Sequence, residues 1–351
     1  TSIGFRNLVK PEMLTASGSA LTFFAGSFTS KDPKIATITP RGIRTREISF
    51  PVDVVGATFG TKGNLFATSL QSEDALRLYD LKKEEFYDYT NAVDYNDRIA
   101  VSEDGSVLVH RGREQLGFYN VKTTQKILKI PKDAINDYNA QHPIAISPDN
   151  SWAVVMIRVK EKGTIYNHNH LAMFDLTTGK QVWIKKYEGI SGVYAVSNNE
   201  FVTLSTFGLK VDFFNAKTGT LRVRNYIPGA INSDINDMNV AKNLVATVQV
   251  NDNRIYVGDI HKSQLLHTFK GHESKILHVQ FIGEDFLLSA GAANELILWD
   301  LTTGKRAGNI YLFEGSKDWA FVTPQGHFDG SQEALKMMYY VNGNAILPLE
   351  Q

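Results

Sequence analysis

The sequence predicts an all-β fold, a β-propeller of four-stranded antiparallel blades, on three observations. One pattern, a short apolar strand closed by a tight turn, recurs along the chain. It reads LILWDLTTGK at residues 296–305, LAMFDLTTGK at 171–180, VDFFNAKTGT at 211–220, LRLYDLKKEE at 76–85 and LGFYNVKTTQ at 116–125, with looser copies at 254–264 and 34–42. The polar residues ending these strands, Thr39, Asp80, Asn120, Asp175, Asn215, Asp259 and Asp300, are spaced by 41, 40, 55, 40, 44 and 41 residues. A period of roughly 40 to 45 residues built from strands and turns is that of a propeller blade. Finally, 351 residues fit one such ring as a single domain over 1–351.

Each unit should run through strands a, b, c and d. The a–b turns are read at Ser17 to Ser19, Gly60 to Gly63, Ser102 to Gly105, Ser147 to Asn150, Ser197 to Glu200, Ala241 to Asn243, Gly283 to Asp285 and Thr323 to Gly326. Gly, Asn and Asp supply the positive φ or the local side-chain bond that such turns need. Within LILWDL, Leu296 and Leu298 alternate with Ile297 and Trp299, so both faces are apolar and each should meet a neighbouring blade. Eight a–b turns stand against seven c–d turns. The expectation is seven complete blades over about 12–312 and an additional C-terminal hairpin in a closing segment over about 318–351; an eighth blade is the alternative. Asn342-Gly343 between two apolar runs is itself a hairpin signal.

The 55-residue interval between Asn120 and Asp175 assigns extra residues to a d–a loop, PKDAINDYNAQHP, and to a b–c hairpin, VKEKGTIYNHNH. In a propeller both emerge on one face, and loops on a rigid scaffold carry function more often than its strands do. A protein-binding edge is therefore expected at Tyr95, Asp97, Asp137 and Tyr138 in the d–a loops, and at Tyr166 and His168 in the hairpin. Tyrosine offers large, rigid contact area at interfaces. A neutral insertion at a tolerant loop tip explains the extra length equally well.

Lys plus Arg and Asp plus Glu are both 37, so no global charge draws the chain to nucleic acid or to an anionic membrane. The absence of cysteine excludes disulfides, thiol catalysis and cysteine-ligated metal. No apolar run approaches the ~18 residues of a membrane helix, and no asparagine lies in a glycosylation sequon. The compartment stays open, with the cytoplasm favoured, and a monomeric propeller is expected.

Catalytic patterns are weak throughout. His168 and His170 could begin a metal site, but further ligands are needed and a polar hairpin tip explains the pair more simply. His327, Asp329 and Ser331 lie at i, i+2 and i+4, which aligns them without the convergence that a hydrolytic triad needs. No nucleophile elbow, phosphate loop or metalloprotease helix occurs. No enzyme activity, cofactor or metal is therefore expected.

Gly271-His272, Ser289 and Trp299-Asp300 resemble the WD-repeat family, in which a His, a strand-b Ser or Thr, a turn Asp and the Trp form a buried network. The resemblance implies a structural role for His272, Ser289, Trp299 and Asp300; the turn Asp is replaced near Ala292-Ala293, so the network should be incomplete. Other units carry Tyr-Asp, Tyr-Asn, Phe-Asp or Phe-Asn, which makes the chain a divergent relative. DLTTGKQVWIKKY at 175–187 is also similar to the repeats of pyrroloquinoline-quinone enzymes, where a Trp at the place of Trp183 docks one blade on the next. The closing segment, with Trp319, Thr323-Pro324, Gly326 and Phe328-Asp329-Gly330-Ser331, resembles that of bacterial WD-repeat propellers fused to a caspase-like peptidase. That resemblance implies a sensor or scaffold module of a larger bacterial protein.

Two functions follow as expectations. The first is a non-catalytic module that binds a protein or peptide, with a fused or associated peptidase effector as a specific partner. The alternative is a quinoprotein- or lactonase-like propeller using its central channel, where Asp94, Asp97, Asp137, Asp234 and Asp237 would converge.

Overall fold

The computed structural model describes residues 2–4, 8, 13–16, 21–26, 34–47, 54–59, 65–70, 76–80, 85–89, 98–102, 104–111, 115–123, 125–131, 144–160, 167–205, 208–229, 235–249, 253–342 and 345–348. Consecutive strands pair antiparallel into sheets. Six sheets have four strands each, over residues 13–47, 54–89, 98–131, 144–186, 190–226 and 236–269. A six-stranded sheet follows over residues 276–330, and a three-stranded sheet joins Ser2–Gly4 to Tyr339–Asn342 and Ala345–Pro348.

This corrects the expected seven or eight four-stranded blades: the all-β propeller has six four-stranded blades, and its sheets range from three to six strands. Thr323–Gly326 does not open a further blade. It closes a hairpin, with the Gly326 amide donating to the Thr323 carbonyl at 3.0 Å, between Trp319–Val322 and Phe328–Gly330. That hairpin lengthens the sheet already there, with Asn309 opposite Val322 and Leu312 opposite Trp319. The hairpin is held on that edge by the strand pairing and by the burial of Phe313 and Ala320 against Ala334.

Both faces of the inner strands are buried, as the alternation requires. Leu296 and Leu298 pack with Leu14, Phe23, Ala36 and Ile43 of the first sheet, which closes the ring. Ile297 and Trp299 pack the other way, with Val257 and Phe269 of the preceding blade. Phe23, Phe24, Phe118 and Phe201 are completely buried, and each such side chain stabilises the fold by about 1.5–3 kcal/mol.

The closing hairpin also ties to the first blade. The Trp319 ring packs on Gly42, Thr45 Oγ1 donates to the Lys317 carbonyl at 2.5 Å, and Lys34 Nζ donates to the Ser316 carbonyl. The Asn342-Gly343 hairpin signal holds, with Asn342 opposite Ala345 and the N-terminal strand paired alongside through Ser2 and Val341.

Where its side chain is described, the polar residue ending strand c has a local task. Asp175 Oδ1 accepts from the amides of Thr177 and Thr178 at 2.8 and 2.9 Å, and Asp300 Oδ1 from Thr302 and Thr303 at 2.8 and 3.0 Å. Asn215 and Asp259 do the same for Thr218 and for His261 and Lys262. These side chains satisfy the amides of the tight turn. The Thr178 amide, first among its partners, holds the Asp175 carboxyl below the usual carboxylate range.

Candidate functional site

One surface feature lies between two outer strands, Lys180–Lys186 of the blade over residues 144–186 and Thr220–Tyr226 of the next. Each is the edge strand of its sheet. Between them opens a groove of about 360 Å³, floored by Leu171, Trp183, Phe201 and Phe214 and walled by Lys185, Tyr187 and Leu221. Trp183 and Phe201 stack with centroids 6.0 Å apart, and Phe201 and Phe214 at 5.0 Å and 8°.

The indole bridges the two blades. Trp183 Nε1 donates to the Ala216 carbonyl at 2.8 Å, and its ring lies flat on the turn at Gly219. Gly219 has φ +60°, and a Cβ there would sit 2.9 Å from the ring, so both the backbone and the close approach require glycine. One wall of the groove is fixed electrostatically. Arg224 grips the buried Asp212 with two nitrogens, Nε to Oδ1 at 2.7 Å and Nη2 to Oδ2 at 2.8 Å, and Tyr187 Oη donates to the same carboxylate. The hydrogen bonds from Arg224 to Asp212 push the guanidinium further up, which keeps it charged. Buried ions need such pairing to offset lost hydration. Lys185 Nζ donates to the Gly219 carbonyl at 2.8 Å.

The two strands also expose large apolar side chains: Leu221, on the groove wall, is 46% exposed, and Val182 49%, Ile184 39%, Val223 50% and Tyr226 54%. Alternation along the strand turns Val182 and Ile184 to the face opposite Trp183 and Lys185. Large apolar side chains clustered at the surface are the usual mark of an interaction site. Around them stand Lys180, Lys185, Lys186, Arg222 and Arg224, with no acidic residue in either strand.

Of the residues expected to bind a partner, Tyr95, Asp97, Asp137, Tyr138 and Tyr166 lie outside the described residues. His168 is described, and it sits on a strand, not on a loop. The strands Trp152–Lys160 and Asn167–Asp175 run nine residues each, so most of the extra hairpin length extends the sheet. His168 lies opposite Val159, and its Nδ1 is 3.1 Å from Glu188 Oε1. His170 Nδ1 lies 3.0 Å from the His168 carbonyl. Among the described residues no group of three or more His, Asp or Glu side chains is placed to hold a metal ion.

His272, Ser289 and Trp299 do form one buried network. Trp299 Nε1 donates to Ser289 Oγ at 2.8 Å, and His272 Nε2 lies 2.6 Å from the same oxygen. The network is more complete than expected, because Glu295 serves the other side of the imidazole, Oε2 to His272 Nδ1 at 3.1 Å. Glu295 also accepts from Ser274 Oγ at 2.7 Å and from the Glu273 amide at 3.1 Å. Although partial burial opposes the charge, the bonds from His272, Ser274 and the Glu273 amide hold the Glu295 carboxyl at about 2. Its signal was present in the sequence: strand alternation puts Glu295, Ile297 and Trp299 on one side. Asp300 stands apart from this network, in the turn. The arrangement is buried and satisfied, which suits a structural role.

Of the carboxylates expected to converge on the channel, Asp94, Asp97, Asp137 and Asp234 lie outside the described residues. Asp237, on the inner strand Asn236–Asn239, accepts from the Phe281 amide of the next sheet at 2.6 Å. Burial pushes its carboxyl up to about 7, against the pull of the Phe281 and Met238 amides. Nearby, Tyr194 Oη donates to Asn236 Oδ1 at 2.8 Å.

Comparison with known proteins agrees with this architecture. The model of a family described as outer membrane protein assembly factor BamB matches residues 167–309, a stretch containing the groove and the His272 network. The solved structure of Kuenenia stuttgartiensis hydrazine synthase is similar over 85% of this chain and 97% of the matched chain, with 13% sequence identity and a TM-score of 0.63. At that identity the likeness shows the propeller fold alone. No curated protein matches the chain. The family match points to a repeat type other than the WD repeat, and neither the WD-repeat family nor a peptidase-fused propeller is what these comparisons find.

Proposed function

We propose that this chain is a non-catalytic, protein-binding propeller whose partner docks on the outer strands Lys180–Lys186 and Thr220–Tyr226. One observation carries the reading: two adjacent edge strands that border an aromatic-floored groove expose five large apolar side chains between them. The description of the matching family as an assembly factor supports a binding role. A fused or associated peptidase is the partner that the resemblance of residues 318–351 suggests. Asp237, with its raised carboxyl on an inner strand, favours the second reading, a ligand- or cofactor-binding channel.

The test is a photo-crosslinking amino acid placed at position 182 or 223 in the native host, with position 305 as control. Lys305 is an exposed residue at the start of the strand Lys305–Leu312, inside the six-stranded sheet. A discrete protein adduct from 182 and 223, absent from 305, is expected. Equal labelling from all three positions, or no adduct from 182 and 223, would refute the proposed face.

A further inference from the structure

We propose that the groove is itself a ligand site, for a small monocarboxylate that carries one aromatic ring. The ring lies over the aromatic floor and the carboxylate meets Lys185. Such a site stands whether or not a protein docks on the neighbouring strands, and the crosslinks from positions 182 and 223 test that face separately.

Charge selects the carboxylate. Trp183 and Lys185 alternate onto the face turned to the next blade, and Lys185 stands opposite Leu171 of the floor. The other charges beside the groove cancel in pairs, because Arg224 grips Asp212 and Arg222 is held by Glu200. Among the described residues Lys185 forms no ion pair, and its Nζ donates to the Gly219 carbonyl at 2.8 Å. An ammonium has three donors, so two remain for an acceptor at the groove. A charge-assisted hydrogen bond to a carboxylate is roughly twice as strong as one between neutral groups, and the same ammonium repels a cationic ligand.

Comparison of two seams between blades selects the ring. Where the sheet over residues 236–269 meets the sheet over 276–330, His267 lies on the turn glycine Gly304 as Trp183 lies on Gly219. Two residues further along that outer strand, Phe269 stacks on Trp299, with centroids 4.8 Å apart and planes at 20°. Two residues past Trp183 the chain instead places Lys185, whose ammonium is drawn to the Gly219 carbonyl. The ring that the chain supplies at one seam is therefore missing from the other, and a groove of about 360 Å³ opens there over Phe201 and Phe214. That volume lies at the lower end of the range for small-molecule pockets, roughly 300–1,000 Å³, which suits one ring with a short acidic arm. A ring on this floor gains stacking contacts in addition to its buried area.

The experiment uses the full chain and para-fluorophenylacetate, observed by fluorine NMR. Saturable broadening of the probe signal is expected. It should be much weaker for para-fluorophenylacetamide, which keeps the ring and loses the charge, and for para-fluorophenethylamine, which reverses the charge. Unlabelled phenylacetate should displace the probe, and acetate at the same concentration should not. Lys185→Met keeps the stem of the side chain and removes its charge, so it should weaken the carboxylate about tenfold and leave the amide unchanged. Leu221→Trp should fill the groove from its wall and abolish binding. Lys186→Met, on the opposite face of the strand, should change neither. All three positions are exposed, so circular dichroism and melting of the variants should match the parent. Equal binding of acid, amide and amine overturns the inference, as does displacement by acetate. So does carboxylate binding that survives Lys185→Met or Leu221→Trp, or the absence of saturable binding at millimolar probe.

Discussion

Ser289→Ala probes the buried network most directly. The Ser289 side chain is completely buried, accepts from Trp299 Nε1 at 2.8 Å and meets His272 Nε2 at 2.6 Å. The substitution removes one oxygen and leaves two buried nitrogens without it. An unsatisfied buried group costs about 1–3 kcal/mol, and since the imidazole keeps Glu295 on its other side, a total of roughly 2–4 kcal/mol is expected. An unfolding entropy of about 2.1 cal/mol/K per residue over 351 residues gives roughly 0.7 kcal/mol per degree. The melting temperature should therefore fall by about 3–5 °C, read by calorimetry or circular dichroism. Removing both partners of one bond in Ser289→Ala/Trp299→Phe should cost less than the sum of the two single changes, because no unpaired indole N–H remains. A Ser289→Ala shift below about 1 °C, or strict additivity in the double variant, would show that the contacts do not act as a network.

Three further outcomes follow from the geometry. Gly219→Ala should destabilise by about 1–3 kcal/mol, because φ is +60° and the new Cβ would meet the Trp183 ring at 2.9 Å; unchanged melting and unchanged Trp183 fluorescence would argue against the close packing. Asp237 has a carboxyl raised to about 7, so folding favours its protonated form, and stability is fully present below the unfolded value near 4 and lost as pH rises through about 7. Asp237→Asn keeps an acceptor for the Phe281 amide and should raise the melting temperature at pH 8 more than at pH 5; an equal effect at both would contradict the assignment. Trp319→Ala empties the contact with Gly42 that ties the closing hairpin to the first blade, and amides of residues 319–322 should then exchange with deuterium faster than those of the strand Glu295–Asp300. Uniform exchange would mean that the hairpin is held by something other than that ring.

Much of the architecture was legible in the chain. The period, the two-faced apolar strands and the turn residues are local properties, and local properties are written in sequence. Asp175, Asn215, Asp259 and Asp300 mark strand ends because a short acceptor is needed there to hold turn amides, and this need repeats with every unit. The grouping of His272, Ser289 and Trp299 was legible through the resemblance of this unit to a WD repeat, with Ser289 and Trp299 on paired strands and His272 just ahead of their sheet.

What only the tertiary structure decided lies between units. Whether 319–330 opens a new blade or lengthens an old one depends on the edge beside Lys305–Leu312 and on the contact of Trp319 with Gly42, distant by more than 270 residues. Glu295 was within reach of strand alternation, but its partnership with His272 depends on a turn that folds Ser274 and Glu273 back onto the strand. The groove at Trp183 was invisible as a groove, because its two walls come from different blades and its charge from two strands 40 residues apart. The sequence by itself determined an all-β propeller built of repeated units. The number and size of its sheets, and the surface offered to a partner, were set by packing between repeats, where shape and charge depend on which repeat stands next to which.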